Sequence, residues 1–407
     1  MAEKRKFHSS MVLTSDEVKN ILLKKIDEEN EKLKTNIAED LSKASFKYDK
    51  KRINVLSLFS GCGGLDLGFE LAGLALAIGE SKALKAFKEK DSYFKNRSKS
   101  LVHYIYSNDI FAEASESYKE NFTNDIFLDS TDIRKISNFP KSDIVLGGFP
   151  CPGFSEAGPR LVDDERNFLY LHFIRCLLQS KPKIFVAENV KGMLTLGNGE
   201  VFKQIVEDFA AAGYVVHHKL LDASKYDVPE VRERVILVGI RTDLKDTFKY
   251  PEETRGEDKE PVLTLKDAIW DLRDNPGEYF EGDYSSIFMS RNRKKSWNEP
   301  SFTIQASGRQ APIHPDGAPM VHVGKDKYEF SDGKENNRRL SVKEIARIQT
   351  FPDWFYFSKG FSKKSNNAKL DLIYKQIGNA VPVMLGYHVG KAVIQAYLNA
   401  IEEDEKN

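Results

Sequence analysis

The chain has little cysteine: Cys62, Cys151 and Cys176 are the only three in 407 residues. That is too few for a disulfide framework and suits a reducing, cytoplasmic compartment, where a thiol stays free for chemistry. No uninterrupted apolar run approaches the ~18 residues of a membrane span, so no membrane partner is expected. The opening residues, MAEKRKFHSS, lack the apolar core of a signal peptide. An excess of charge of one sign is missing too. With 61 Lys and Arg against 61 Asp and Glu, any surface for nucleic acid must be local.

What is present is alternation. INVLSL (53–58), LVHYIYSND (101–109), DIVLGG (143–148), KIFVAENV (183–190) and RVILVGI (234–240) read as strands. Helical patterns lie between them, at AEASESYKENF (112–122), LYLHFIRCLLQ (169–179) and VFKQIVEDFAAAG (201–213). This predicts an α/β fold with a doubly wound, mostly parallel, Rossmann-like sheet. Residues 1–50 read as a helical extension. Thr14 and Glu17 form a capping box there, ahead of Val18, Ile21, Leu22 and Ile26 on one face. The alternation ends near 241, at the polar stretch RTDLKDTFKYPEETRGEDKEPV, which reads as a linker. A last helix is predicted over 381–401.

Two strand ends carry unusual residues. After INVLSL comes FSGCGGLDLG, a glycine turn opening a helix, where a ligand's polar group can approach backbone amides. The turn lacks the G-x-G-x-x-G spacing, so hydride transfer is not the first choice, and a plain tight turn remains open. Asp109 ends the next strand, where a ribose-binding acid sits in a doubly wound sheet; Asp132 follows one connection later. Taken alone, each reads more readily as a helix cap or a solvated acid. After DIVLGG stands Cys151, between Pro150 and Pro152. The prolines would hold the thiol at little entropic cost, although a small buried hydrophobe is the competing reading. Glu188 ends the following strand. Arg232 and Arg234 alternate before RVILVGI and would point the same way, as a site pair or as exposed strand arginines.

Taken in order, FSGCGGLDLGFE, GGFPCPGFS, AENVKGM, VPEVRERVILVG, RRLSVKEIARIQTFPD and YKQIGNAVPVMLG resemble the motifs of the DNA (cytosine-5) methyltransferase family. The resemblance runs from about Ile53 to about Val393. It implies transfer of a methyl group from S-adenosylmethionine to carbon 5 of a flipped-out cytosine in duplex DNA. Cys151 would add to carbon 6 and Glu188 would protonate or hydrogen-bond N3. Arg232 would touch the base carbonyl and Arg234 would orient the carboxylate. SEAGPRLVDDER (155–166) is similar to the family's mobile loop. For the cofactor, Phe59, Gly61 and Gly63 match the methionine and ribose loop. Asp109 and Ile110 match the ribose and adenine positions, and Asp132 and Ile133 the adenine edge. Pro150, Leu169, Asn379 and Val381 match further lining positions. No metal is expected.

The resemblance also divides the chain: an extension over 1–50, a catalytic and cofactor-binding domain over 51–262, target recognition over 263–368, and a return to the catalytic domain over 369–407. YSSIFMSRNRKKSWNEPSFTIQASGRQAPIHP is similar to the recognition region of a subgroup with GGCC-type targets. Between Tyr284 and Pro315, Arg291, Arg293, Lys294, Lys295 and Arg309 face one acid, Glu299. Arg291, Arg293 and Arg309 are expected to reach bases. A restriction-modification role, a cognate endonuclease as functional partner and a monomer are implied. A tRNA cytosine-5 methyltransferase and an inactive sequence-specific DNA-binding protein are the alternatives. Four departures stand out: Asp109 where glutamate is commoner, Glu230 where glutamine is usual, Pro152 where glutamine is common though proline occurs too, and a lengthened connection over 79–103. That insert reads as a solvated loop, with a phosphate contact as the sharper alternative.

Overall fold

The computed structural model describes residues 14–35, 39–122, 125–150, 169–332, 337–360 and 365–404. Seven strands build the main sheet: β1 (Ile53–Leu58), β2 (Val102–Asn108), β3 (Phe127–Asp129), β4 (Ile144–Gly147), β5 (Ile184–Val190), β6 (Tyr214–Asp222) and β7 (Glu233–Arg241). Their order is β3-β2-β1-β4-β5-β7-β6. The first five run parallel, and β7 runs antiparallel to both its neighbours. The expected doubly wound α/β architecture is found.

The central strands are apolar throughout because both faces are covered. In β1, Ile53 and Val55 face one buried cluster, with Phe69, Tyr387 and Val389. Leu56 and Leu58 face the other, with Phe173 and Phe209. Period-two alternation feeds two cores from one strand.

The first cluster depends on close backbone approach. Helix α2 (Gly64–Ile78) follows β1, and the C-terminal helix, Val383–Asp404, lies against it. A Cβ at Gly64 would stand 2.3 Å from the Val381 carbonyl oxygen, and one at Gly68 2.5 Å from that of Val383. Glycine is therefore required on α2 for the chain's end to return to the sheet.

On the second face, helix α1 (Ser15–Thr35) buries Val18, Leu22, Ile26 and Leu33. Thr14 and Glu17 form the expected box, with Glu17 N–H donating to Thr14 Oγ1 at 3.3 Å. Ile21 does not join the stripe: it is 44% exposed, one residue off the four-residue spacing.

The 79–103 insert is a correction. It forms two helices, α3 (Glu80–Phe87) and α4 (Lys90–Arg97), not a solvated loop. Arg97 is buried and grips Glu70 of α2 through two bonds, at 2.9 and 2.6 Å. Tyr93 stacks on Trp354 with centroids 5.5 Å apart. Arg97 is thus withdrawn from any phosphate. The insert joins the end of α2 to the start of β2, on the edge of the sheet opposite the strands' C-terminal ends.

Beyond 262, a small hairpin, β8 (Met320–Gly324) and β9 (Lys327–Phe330), covers a separate cluster of Phe288, Ile313, Met320 and Phe330. Leu265, Ile269, Ile304 and Leu340 belong instead to the large cluster shared with the sheet, so apolar packing is continuous across residue 262. Arg339 donates to the carbonyls of Gly282 and Asp283 and ties this part together. Among the described residues no helix is long and apolar enough to cross a membrane.

Candidate active site

A cavity of about 540 Å³ opens beyond the C-terminal ends of β1, β2, β4 and β5, where open α/β sheets bind ligands. The turn after β1 forms its floor. Phe59 there adopts a left-handed conformation (φ 52°), as does Gly61 (φ 55°). For a phenylalanine that costs on the order of 1 kcal/mol or more and is held by its surroundings. Gly61 N–H donates to Asp109 Oδ2, and Phe111 N–H to Asp109 Oδ1, each at 2.8 Å. The carboxylate is thereby fixed, with acceptor capacity left for hydroxyl groups. Burial raises its pKa, and the two amide bonds oppose the rise.

Of the expected cofactor residues, Phe59, Gly61, Asp109, Ile110, Asp132, Ile133, Pro150, Leu169, Asn379 and Val381 all line this cavity. Gly63 is not among the lining residues. It caps α2 with φ 92°, and a Cβ there would strike the ring of Phe122 at 2.5 Å, so its place is taken by packing. Asp132 pairs with Arg134 at 2.6 Å, which lowers its pKa. Lys375, within YKQIGNAVP but given no role from sequence, also lines the cavity, with its ammonium 4.4 Å from the Phe111 ring centroid.

Glu188 lines the same cavity from the end of β5. Its Oε1 lies 2.8 Å from Arg234 Nε. Burial raises the Glu188 pKa, while the charges of Arg234 and Arg232 pull it back. Next to it, Asn189 Nδ2 donates to the Phe149 carbonyl at 2.9 Å, tying β5 to the segment that leads to Pro150. Cys151 and the 155–166 loop lie outside the described residues.

The two arginines do not share a target, and the expectation for Arg232 is corrected. Arg232 is fully buried, and its guanidinium donates to the carbonyls of Gly378 (2.7 Å), Ala380 (3.0 Å) and Ile304 (3.2 Å). Glu230 is 3.5 Å away and accepts from Ile304 N–H at 2.6 Å. Arg232 sits just before β7 begins and turns inward, bracing backbone instead of facing the cavity. Arg234, inside the strand, is the arginine that meets Glu188.

In the second lobe, Arg291 and Arg309 are exposed. Arg293 is buried: Nε donates to the Phe288 carbonyl at 3.2 Å and Nη2 to Gln310 Oε1 at 2.9 Å. This is at odds with a base contact, because two of its five guanidinium donors hold the lobe and little of the side chain reaches the surface.

Comparison with known proteins identifies the family. The family model for C-5 cytosine-specific DNA methylase matches residues 53–395. The type II methyltransferase M.BsuRI of Bacillus subtilis is 60% identical over 398 residues, covering 96% of this chain and 91% of that protein. M.BspRI of Lysinibacillus sphaericus is 59% identical, covering 96% and 92%. Among solved structures, a Spodoptera frugiperda DNMT2 mutant is similar in fold, with a TM-score of 0.55, 19% identity and coverage of 85% of this chain and 99% of that one. The chain belongs to the C-5 cytosine-specific DNA methylase family and is a DNA cytosine-5 methyltransferase.

Proposed function

We propose that the protein methylates carbon 5 of a cytosine flipped out of a short specific duplex sequence, as the modification partner of a restriction endonuclease. The observation that carries this reading is the placement of Glu188: a buried carboxyl held by Arg234, opening on the cavity that also holds Asp109.

The residues present fit S-adenosylmethionine. Asp109 offers a fixed carboxylate to ribose hydroxyls, Ile110 and Ile133 offer apolar surface to a flat ring, and the 59–61 turn admits the methionine end. When bound, the cofactor supplies an electrophilic sulfonium methyl. On the protein's side, the Cys151 thiolate adds to carbon 6 and pushes electron density towards carbon 5. The charge this creates on the ring needs a proton or strong hydrogen bond at N3, and Glu188 supplies it. Burial favours its acid form, against the pull of the two arginine charges. Arg234 holds the carboxyl and is assigned the base carbonyl, the role first expected of Arg232. Loss of the carbon-5 proton then releases the thiolate. The base must leave the stack for any of this, since its faces are covered inside a duplex. Arg291 and Arg309, exposed in the 263–368 region, are assigned to base edges.

Methyl transfer from labelled cofactor to duplex DNA and to tRNA, with bisulfite mapping of the DNA, tests the proposal. Label in DNA at one short site, together with covalent trapping by a mechanism-based cytosine analogue, supports it. Label in tRNA alone, or binding to DNA without label, overturns it.

A further inference from the structure

The segment from Asp132 to Asn138 supplies three cavity residues, Asp132, Ile133 and Arg134. The main sheet does not hold it. It is one turn of 3-10 helix, Ile133–Lys135, followed by Ile136 and Ser137, which pair in parallel with Glu39 and Asp40 of the N-terminal extension. What fixes it lies on α5 (Leu169–Ser180). Arg175 there is 1% exposed. Its Nη1 donates to the Ile136 carbonyl at 2.6 Å and its Nη2 to the Ile133 carbonyl at 2.9 Å. Its Nε donates to His172 Nδ1 at 3.3 Å. On the outer side, Asn138 Nδ2 donates to Asp40 Oδ1 at 2.9 Å.

A buried guanidinium is costly, and here it is matched by backbone carbonyls and a ring nitrogen. Apolar packing alone would fill the same space. What the planar fork adds is a fixed distance between two carbonyls three residues apart.

We propose that Arg175 is a positioning residue for the adenine end of the cofactor site. It holds the 132–138 segment from within while the N-terminal extension pins it from outside, so that Asp132 and Ile133 present one fixed edge to the ring. This rests on the reading of Asp132 and Ile133 as the adenine contacts. A loop that must order on binding loses affinity and blurs its selectivity. Glu188 lies on another strand, so turnover at saturating cofactor is unaffected.

The test is calorimetric binding of S-adenosylhomocysteine and of its inosyl counterpart, which carries hypoxanthine in place of adenine. Wild-type protein prefers the adenosyl ligand. Arg175→Gln raises the dissociation constant for S-adenosylhomocysteine by about tenfold or more and removes most of the preference. Its kcat at saturating cofactor stays within about twofold of wild type, and Arg175→Lys falls between. Should Arg175→Gln not fold, Arg175→Lys and Asn138→Gly carry the test. The glycine keeps the positive φ of 55° at that exposed position and should show the same loss of preference on a smaller scale. A preference unchanged in the folded variants overturns the proposal. A wild-type protein with no preference overturns the adenine assignment itself, and the proposal with it.

Discussion

Glu188 reaches the cavity because Gly148 has no side chain: a Cβ at 148 would stand 3.1 Å from Glu188 Oε2. The carboxyl cannot yield freely, since its other oxygen is held by Arg234. Gly148→Ala should therefore shift the acid from its working position. A displacement of this order lowers kcat about 10- to 100-fold, with the urea midpoint near that of wild type. Steady-state methyl transfer checks it. Wild-type turnover would show that the Glu188 position does not matter.

The two motif arginines should separate cleanly. Arg232→Ala leaves Glu230 buried without its cation and frees three backbone carbonyls. A loss of about 3–5 kcal/mol in unfolding free energy is expected. Arg234→Ala should keep the fold and lower kcat by roughly 10²–10³. Urea unfolding beside single-turnover kinetics tells them apart, and the reverse pattern would restore Arg232 to the base.

Asp66, in the first turn of α2, gives a pH signature. Burial lifts its carboxyl from 3.8 to about 7, and its Oδ1 has no hydrogen-bond partner. The folded state thus holds this proton more tightly than the unfolded chain. Stability from this group is full below about pH 4 and falls as pH rises towards 7. The fall is about 4 kcal/mol at ~1.4 kcal/mol per unit and then levels off. Asp66→Asn should flatten that slope and make the protein more stable than wild type at pH 8. Urea titrations at pH 5 and pH 8 measure it. Parallel losses in both proteins would contradict the buried neutral acid.

Arg291→Ala or Arg309→Ala should weaken binding to the cognate duplex by about 1–3 kcal/mol and relax choice at one base pair. Arg293→Ala should act differently. Its bonds to Phe288 and Gln310 hold the lobe, so affinity falls for every sequence alike. Binding to a panel of singly substituted duplexes distinguishes the two behaviours. Base-specific relaxation at Arg293 would mean that its side chain turns outward on DNA.

The parts of the fold legible in the sequence were those where burial is two-sided. β1, β4, β5 and β7 are near-continuous Ile, Val and Leu runs, and they showed plainly. β6 did not, because its residues, YVVHHKLLD, are mostly exposed or half-buried at the sheet edge. Cavity-lining positions at a strand end or a glycine turn were legible too, as with Asp109 and Glu188. Arginine misled three times. Arg97 lay in a stretch read as a solvated loop, and Arg232 and Arg293 were expected to touch bases, yet each is buried against carbonyls or a carboxylate. Those partners lie up to 148 positions away and leave no trace in local pattern. Arg175, inside LYLHFIRCLLQ, was hidden for the same reason.

The contact between Gly64 and the Val381 carbonyl sets a timetable for synthesis. The glycine turn is made long before Asn379 and Val381, which build part of the same wall. A nascent chain therefore has no complete cofactor chamber until residue 381 has been added, and fragments that stop short of Asn379 should not compete for methyl donor.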